Sequence, residues 1–212
     1  MNPRIRCLGT HYNLIAAALL LILATGAAMA APAGTVVGLS GPCTVEHNGK
    51  RHALTLGKPV YQSDTVSVPS NGQLKLRMQD GSVISIAAKS QMKIAQYQLN
   101  ASGERENAHL SLIKGLIRAI VTHFDHPAEF EVDTAVGTAA VRSTDWFVEA
   151  LPKSMQVGVL KGSVRLTSAA TGRSATVPAR WGARVEAGLD PVPPRLWSRA
   201  EFDSVIARTN VP

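Results

Sequence analysis

Apolar and polar residues alternate at period two through most of the chain beyond residue 33. In Leu74-Lys75-Leu76-Arg77-Met78-Gln79 the apolar side chains fall on one side and the polar ones on the other, the pattern of a half-buried strand. Thr35 to Val37, Cys43 to His47, Lys50 to Leu56, Val60 to Val68 and Ser82 to Ile86 read the same way. Turn signals separate them: Gly41-Pro42, Asn48-Gly49, Gly57-Lys58-Pro59, Asn71-Gly72 and Asp80-Gly81. Asn-Gly and Asp-Gly accept the positive φ that two-residue hairpin turns need. The polar, glycine-containing stretch Asn100 to Asn107 reads as a loop dividing the strands into two halves. Strands resume at Ala108 and continue through Leu116-Ile117, Gln156 to Thr167, Ala175 to Val177 and Trp181 to Val185, with a turn at Thr171-Gly172.

The period changes at both ends. Leu189 to Pro194 is a Pro-rich linker. Beyond it, Ser198 and Glu201 have capping-box spacing, Trp197 and Phe202 occupy staple positions, and Phe202, Val205 and Ile206 form a helical stripe. A short C-terminal helix is predicted to dock on its own β domain, covering a sheet edge, with partner binding as the alternative. At the other end, Arg4 and Arg6 precede the wholly apolar run Leu14 to Ala24, and Ala28-Met29-Ala30 reads as a cleavage signal. The run falls short of the ~20 apolar residues a membrane-spanning helix needs. Residues 1–30 are therefore read as a secretory signal peptide. The mature chain is expected to begin at Ala31, without a transmembrane span, and to be periplasmic or secreted from a bacterium.

The expected organisation is signal peptide 1–30, all-β domain 31–188, and linker plus helix 189–212. Two internal echoes bear on the fold. Leu112 to Arg118 parallels Val159 to Arg165 at an offset of 47, with Lys, Gly and Arg coinciding. Gly72, Arg77 and Asp80 map onto Gly137, Arg142 and Asp145 at an offset of 65. Echoes of this kind favour a twisted β-roll or short β-solenoid of stacked hairpins. Strands at intervals of roughly 8–12 residues also suit a two-sheet β-sandwich.

Removing residues 1–30 takes two arginines and lowers the formal charge from +7 to +5. That balance suits solubility or an anionic envelope polymer. No basic stripe with interleaved aromatics points to nucleic acid. Of two cysteines only Cys43 remains after cleavage, so no intrachain disulfide is expected; a buried small hydrophobe is the primary reading and an intermolecular bridge the alternative.

Candidate chemistry is sparse. His123-Phe124-Asp125-His126 could ligate a metal only with a further distant ligand, and beside Pro127 it reads as an exposed loop. No G-x-S-x-G, H-E-x-x-H or P-loop occurs. No catalytic residue, cofactor or metal is assigned, and a non-enzyme is expected, with a hydrolase as the outlying option. The stretch Glu129 to Val148 stands out because Arg142 and Asp145 interrupt an apolar run. If buried, both charges need partners, either each other or nearby backbone groups. Arg142, Asp145, Trp146, Asp80 and Arg77 are the candidate structural or interaction residues.

That stretch also carries a family resemblance. Asp133-Thr134-Ala135 followed by Val141-Arg142-Ser143-Thr144-Asp145-Trp146 resembles the signature of the FecR domain, with Ser143 in place of Gly and Trp146 in place of Phe. Ser63-Asp64-Thr65-Val66, Gln73 to Leu76 and Asp80-Gly81-Ser82 are similar to earlier motifs of that family, with Ser63 again replacing Gly. Val157 to Val164 and Arg184 to Gly188 resemble its closing segments, so the likeness spans about Gly34 to Gly188. The resemblance implies a periplasmic sensory module of the kind that relays the state of an outer-membrane receptor to a sigma factor. Full regulators carry an anti-sigma domain and a transmembrane helix first. Here only Met1 to Asn13 precede the apolar run, so signalling is expected through a partner, an envelope protein or polymer. The alternative is a structural or cell-wall-polymer-binding envelope protein.

Overall fold

The computed structural model describes residues 31–126 and 128–211, so the signal peptide read at 1–30 lies outside the described residues. The first half contributes β1 (Gly34–Ser40), β2 (Thr44–His47), β3 (Lys50–Ala53), β4 (Pro59–Val60), β5 (Thr65–Val68), β6 (Gln73–Met78), β7 (Val83–Ile86) and β8 (Ser90–Leu99). After β9 (Arg105–Ile120) come β10 (Glu129–Asp133), β11 (Gly137–Val141), β12 (Asp145–Leu151), β13 (Ser154–Lys161), β14 (Ser163–Ser168), β15 (Ser174–Pro178), β16 (Trp181–Glu186) and β17 (Arg195–Leu196). One helix, α1 (Arg199–Thr209), closes the described chain.

The turn signals land where the sequence places them. Asn48 and Gly49, at φ 50° and 73°, join β2 to β3, the positive-φ pair of a type I′ hairpin. Asp80-Gly81 joins β6 to β7 and Thr171-Gly172 joins β14 to β15. The polar stretch Asn100 to Asn107 is only half a loop, because β9 already begins at Arg105.

The strands form two open sheets. Sheet A runs β4–β1–β6–β7–β9–β12–β13–β16–β17. Sheet B runs β3–β2–β5–β8–β9–β10–β11–β14–β15. Every pairing is antiparallel except β9 with β10. The chain winds from one sheet to the other and back, mostly two strands at a time, so the all-β reading holds with the single C-terminal helix. Side chains of both sheets merge in one core, including Leu76, Ile84, Ile94, Leu110, Phe130, Trp146, Val157 and Leu166.

β9 belongs to both sheets. Its first half pairs with β8 and β10, its second with β7 and β12. The crossing is at Gly115, where φ is +92° and a Cβ would lie 2.2 Å from Ser90 Oγ. The chain crosses again at Gly162, with φ +88° and only 2.6 Å from a Cβ to the Ser143 carbonyl. Both positions need glycine for backbone conformation and for close approach. The 47-residue echo therefore marks two equivalent crossings between sheets.

Consecutive apolar residues in β9 and β12 reveal that sheet A is covered on both faces. Ile117, Trp146 and Val148 face the core, while Leu116 and Phe147 face outward and pack with Ala87, Trp197, Phe202 and Val205. The helix thus lies across the outer face of the sheet rather than along an edge. Its capping box forms: Glu201 N–H donates to Ser198 Oγ at 3.3 Å and Ser198 N–H to Glu201 Oε2 at 2.8 Å. Trp197 is the anchor, since a Cβ on Gly158 or Gly182 would approach its ring to 2.5 Å or 1.9 Å. Arg208 pairs with Glu149 at 2.5 Å, and Lys75 donates to the Val211 carbonyl.

Cys43 is buried, its Sγ 3.6 Å from the carbonyls of Ser40 and Gln73. Burial pushes its thiol above the ordinary range, which leaves little of the reactive thiolate.

Two outcomes follow from the seating of the tail. Gly182→Ala should displace Trp197, cost about 1–3 kcal/mol in denaturant unfolding by overpacking, and expose residues 189–211 to limited proteolysis. The Glu201 carboxyl is held down to about 2, first by Arg195 and then by Ser198. Its folded value lies below the ordinary 4.5, so its contribution is complete above that value and disappears as pH falls through about 2. Trp197 fluorescence should therefore be unchanged between pH 7 and pH 5, with any weakening of the Arg195–Glu201 contact confined to strongly acid solution.

Candidate functional site

The charges singled out by the sequence do not pair with one another. Asp145, at the start of β12, binds Arg118 of the neighbouring β9 through both oxygens, at 2.8 Å and 2.7 Å. That bond, ahead of any other influence, raises the Arg118 guanidinium above its ordinary value. Arg118 also lies 5.6 Å from the Phe147 ring centroid, within cation–π range. Asp80, in the β6–β7 turn, binds Arg105, the first residue of β9. Both acids thus find their partners on one strand. Arg77 and Arg142 are exposed and make no ion pair among the described residues.

Asp80 and Arg105 form the most buried polar cluster, with both side chains at 0% exposure. Asp80 Oδ1 accepts from the Ser82 amide at 2.9 Å, and Oδ2 accepts from the Ser82 hydroxyl at 2.8 Å. The Asp-Gly-Ser turn is in effect a cradle for the carboxylate. Arg105 also donates to the carbonyls of Thr122 and Arg142, each at 3.3 Å. Its guanidinium lies 5.3 Å from the Phe124 ring centroid and 5.5 Å from that of Phe130. Tyr97 is buried beside the pair; burial, then the negative charge of Asp80, pushes its hydroxyl pKa above the ordinary range. Trp146 is wholly buried in the core, and its indole N–H has no partner among the described residues.

A second buried acid serves the earlier motif. Asp64 accepts from the Tyr61 amide at 2.8 Å and lies 2.5 Å from His47 Nδ1. Ser63 before it has φ 73°, the left-handed conformation that glycine adopts at little cost. Ser143 keeps a negative φ and carries its side chain without that strain.

Above the Arg105 cluster the surface is concave. A groove of about 480 Å³ is lined by Arg142, Arg165, His123 and Glu129 and by the hydroxyl residues Ser143, Ser163 and Thr176. Its wall is fixed from beneath. The Arg142 carbonyl is held by Arg105, the Thr144 carbonyl accepts from Val121 N–H at 3.0 Å, and Thr144 Oγ1 donates to the Ser163 carbonyl at 3.1 Å. The loop His123 to His126 is partly anchored. Phe124 stacks on His126 at 5.6 Å, whereas His123 remains largely exposed. Among the described residues no three His, Cys, Asp or Glu side chains converge as a metal set.

Fold and site define an all-β module built around a buried polar clasp, with a polar groove open above it. The FecR protein family model matches residues 64–165, and this stretch is a FecR domain. It contains Asp64, Asp80, Arg105, Arg118, Arg142 and Asp145. No curated protein matches the chain. Among solved structures, two crystal structures of a "putative anti-sigma factor" from Parabacteroides distasonis ATCC 8503 share the fold. One has a TM-score of 0.55 at 15% identity, covering 66% of this chain and 63% of that one. The other has a TM-score of 0.54 at 15% identity, covering 66% and 62%. The match thus spans less than two thirds of either neighbour.

Arg105 and Arg118 were missed as sites because each sits in an unremarkable polar or strand-like context. Asp80→Asn should destabilise the protein by about 3–5 kcal/mol in denaturant unfolding, since the buried guanidinium would lose its counter-charge. Ser63→Gly should instead stabilise it by about 1 kcal/mol, through relief of the left-handed backbone.

Proposed function

We propose that this chain is an exported, non-catalytic FecR-type recognition module. It works in the cell envelope and is tied to sigma-factor control through a partner. The FecR domain over residues 64–165 carries this reading. The structural neighbours described as anti-sigma factors are consistent with it. The acids of the domain support it too: the buried Asp64 and Asp80 and the half-buried Asp145 are engaged with backbone, histidine or arginine groups that hold the fold. A module whose interior acids are fixed in this way presents a rigid surface, which suits recognition. The basic N-terminal start, the short apolar run and Ala28-Met29-Ala30 support export. On this reading the mature chain starts at Ala31, residues 31–188 form the recognition body, and 189–211 are its docked tail.

Loss of the gene is expected to change transcription of one sigma-factor regulon, read by RNA sequencing in iron-replete and iron-limited cells, and fractionation is expected to recover the chain in the periplasm. Unaltered regulons in both conditions would overturn the signalling role, and a cytoplasmic chain would overturn export. The second reading, a binder of cell-wall polymer, draws on the groove at Arg142 and Arg165; it requires co-sedimentation with purified cell wall.

A further inference from the structure

Seven of the twelve arginines beyond residue 30 are used in ion pairs. Arg142 and Arg165 are two of the five that make no ion pair among the described residues, and they line one groove. They come from different elements. Arg142 lies in the β11–β12 loop, and Arg165 lies on β14, directly opposite Ala140 of β11 and Thr176 of β15. Both are exposed. Glu129 is the one carboxylate of the lining and makes no ion pair among the described residues, while His123 adds an imidazole. Two guanidiniums against one carboxylate leave the groove cationic.

The donors around it outnumber what a carboxylate can use. Two guanidinium forks and the hydroxyls of Ser143, Ser163 and Thr176 line one concavity. None of these hydroxyls is used in the described hydrogen bonds. A carboxylate offers two acceptor oxygens, whereas a phosphate group offers more and matches the planar guanidinium fork bidentately. The wall is also set before any ligand arrives. The carbonyls of Arg142 and Thr144 and the Thr144 hydroxyl are already bonded. Gly162 packs tightly against Ser143 and Thr144. A site with a fixed backbone costs a ligand less ordering.

We propose that the groove between Arg142 and Arg165 is a binding site for a phosphate group. It is presented either by a soluble phosphate ester or by the headgroup of an anionic lipid. Arg142 and Arg165 clamp the phosphate oxygens, Ser143, Ser163 and Thr176 supply further donors, and Glu129 disfavours ligands with a second anionic group on that side. The inference stands on the groove itself and is independent of the signalling role.

The test is titration of the purified protein, at constant low ionic strength, with sodium phosphate, sodium acetate, phosphatidylglycerol vesicles and phosphatidylcholine vesicles. Saturable binding of phosphate or phosphatidylglycerol, without comparable binding of acetate or phosphatidylcholine, is expected. Arg142→Gln and Arg165→Gln should each weaken it about tenfold or more. Their melting temperatures should match the parent, because neither side chain holds the fold. Arg51→Gln, on the exposed β3 edge, should leave binding unchanged. Binding of phosphate without vesicles assigns a soluble ester; vesicle binding displaced by phosphate assigns a lipid headgroup. Absence of saturable binding to both, equal binding of acetate, or full binding by the double variant Arg142→Gln/Arg165→Gln overturns the proposal.

Discussion

A guanidinium keeps its charge at any pH a protein meets, so burying Arg105 completely binds the surrounding chain to one arrangement. Its contacts come from four places: the β6–β7 turn through Asp80, the segment after β9 through Thr122 and Phe124, β10 through Phe130, and the β11–β12 loop through the Arg142 carbonyl. Those segments belong to both sheets. Such a pair adds little net stability over an apolar substitute, because desolvation offsets the attraction. Here it gives uniqueness instead: any slip of one segment strands a charge away from water.

The same clasp explains how an exposed surface can be stiff. The carbonyl of Arg142 is tied to Arg105 beneath it while its exposed guanidinium makes no ion pair among the described residues. One residue therefore joins the two levels, with its backbone belonging to the interior and its side chain to the groove. Gly162 contributes from the opposite wall by letting the chain cross between sheets against Ser143 without a side chain in the way.

Much of this was legible in the sequence, and the rest was hidden for identifiable reasons. Alternation located the strands, and Asn48-Gly49 and Asp80-Gly81 located tight turns, because both signals are local. The Lys-Gly echo marked real crossings, at Gly115 and Gly162. The charge partners were not legible. Period-two alternation says which side a residue faces, but not which distant strand lies alongside. Arg105 was masked twice, first by its polar neighbours and then by a break in phase. Ala108, Leu110 and Leu112 face inward on even positions, and a register shift opposite Gln98 and Leu99 turns Arg105 inward on an odd one. The bond considered between Arg142 and Asp145 does not form, for a related reason. Asp80 and Asp145 both seek arginines of β9, but neither uses the arginine three residues before it.

β9 has consequences for how the molecule comes together. Strands β7 and β8 both wait for it, as do β10 and β12. A chain emerging from its N-terminus therefore holds open strand borders until residues 105–120 arrive, and such borders invite mispairing with other chains. The tail comes last. Its smooth seat at Gly158 and Gly182 exists only after β13 and β16 have joined, so a docked Trp197 certifies that the interior beneath it is finished.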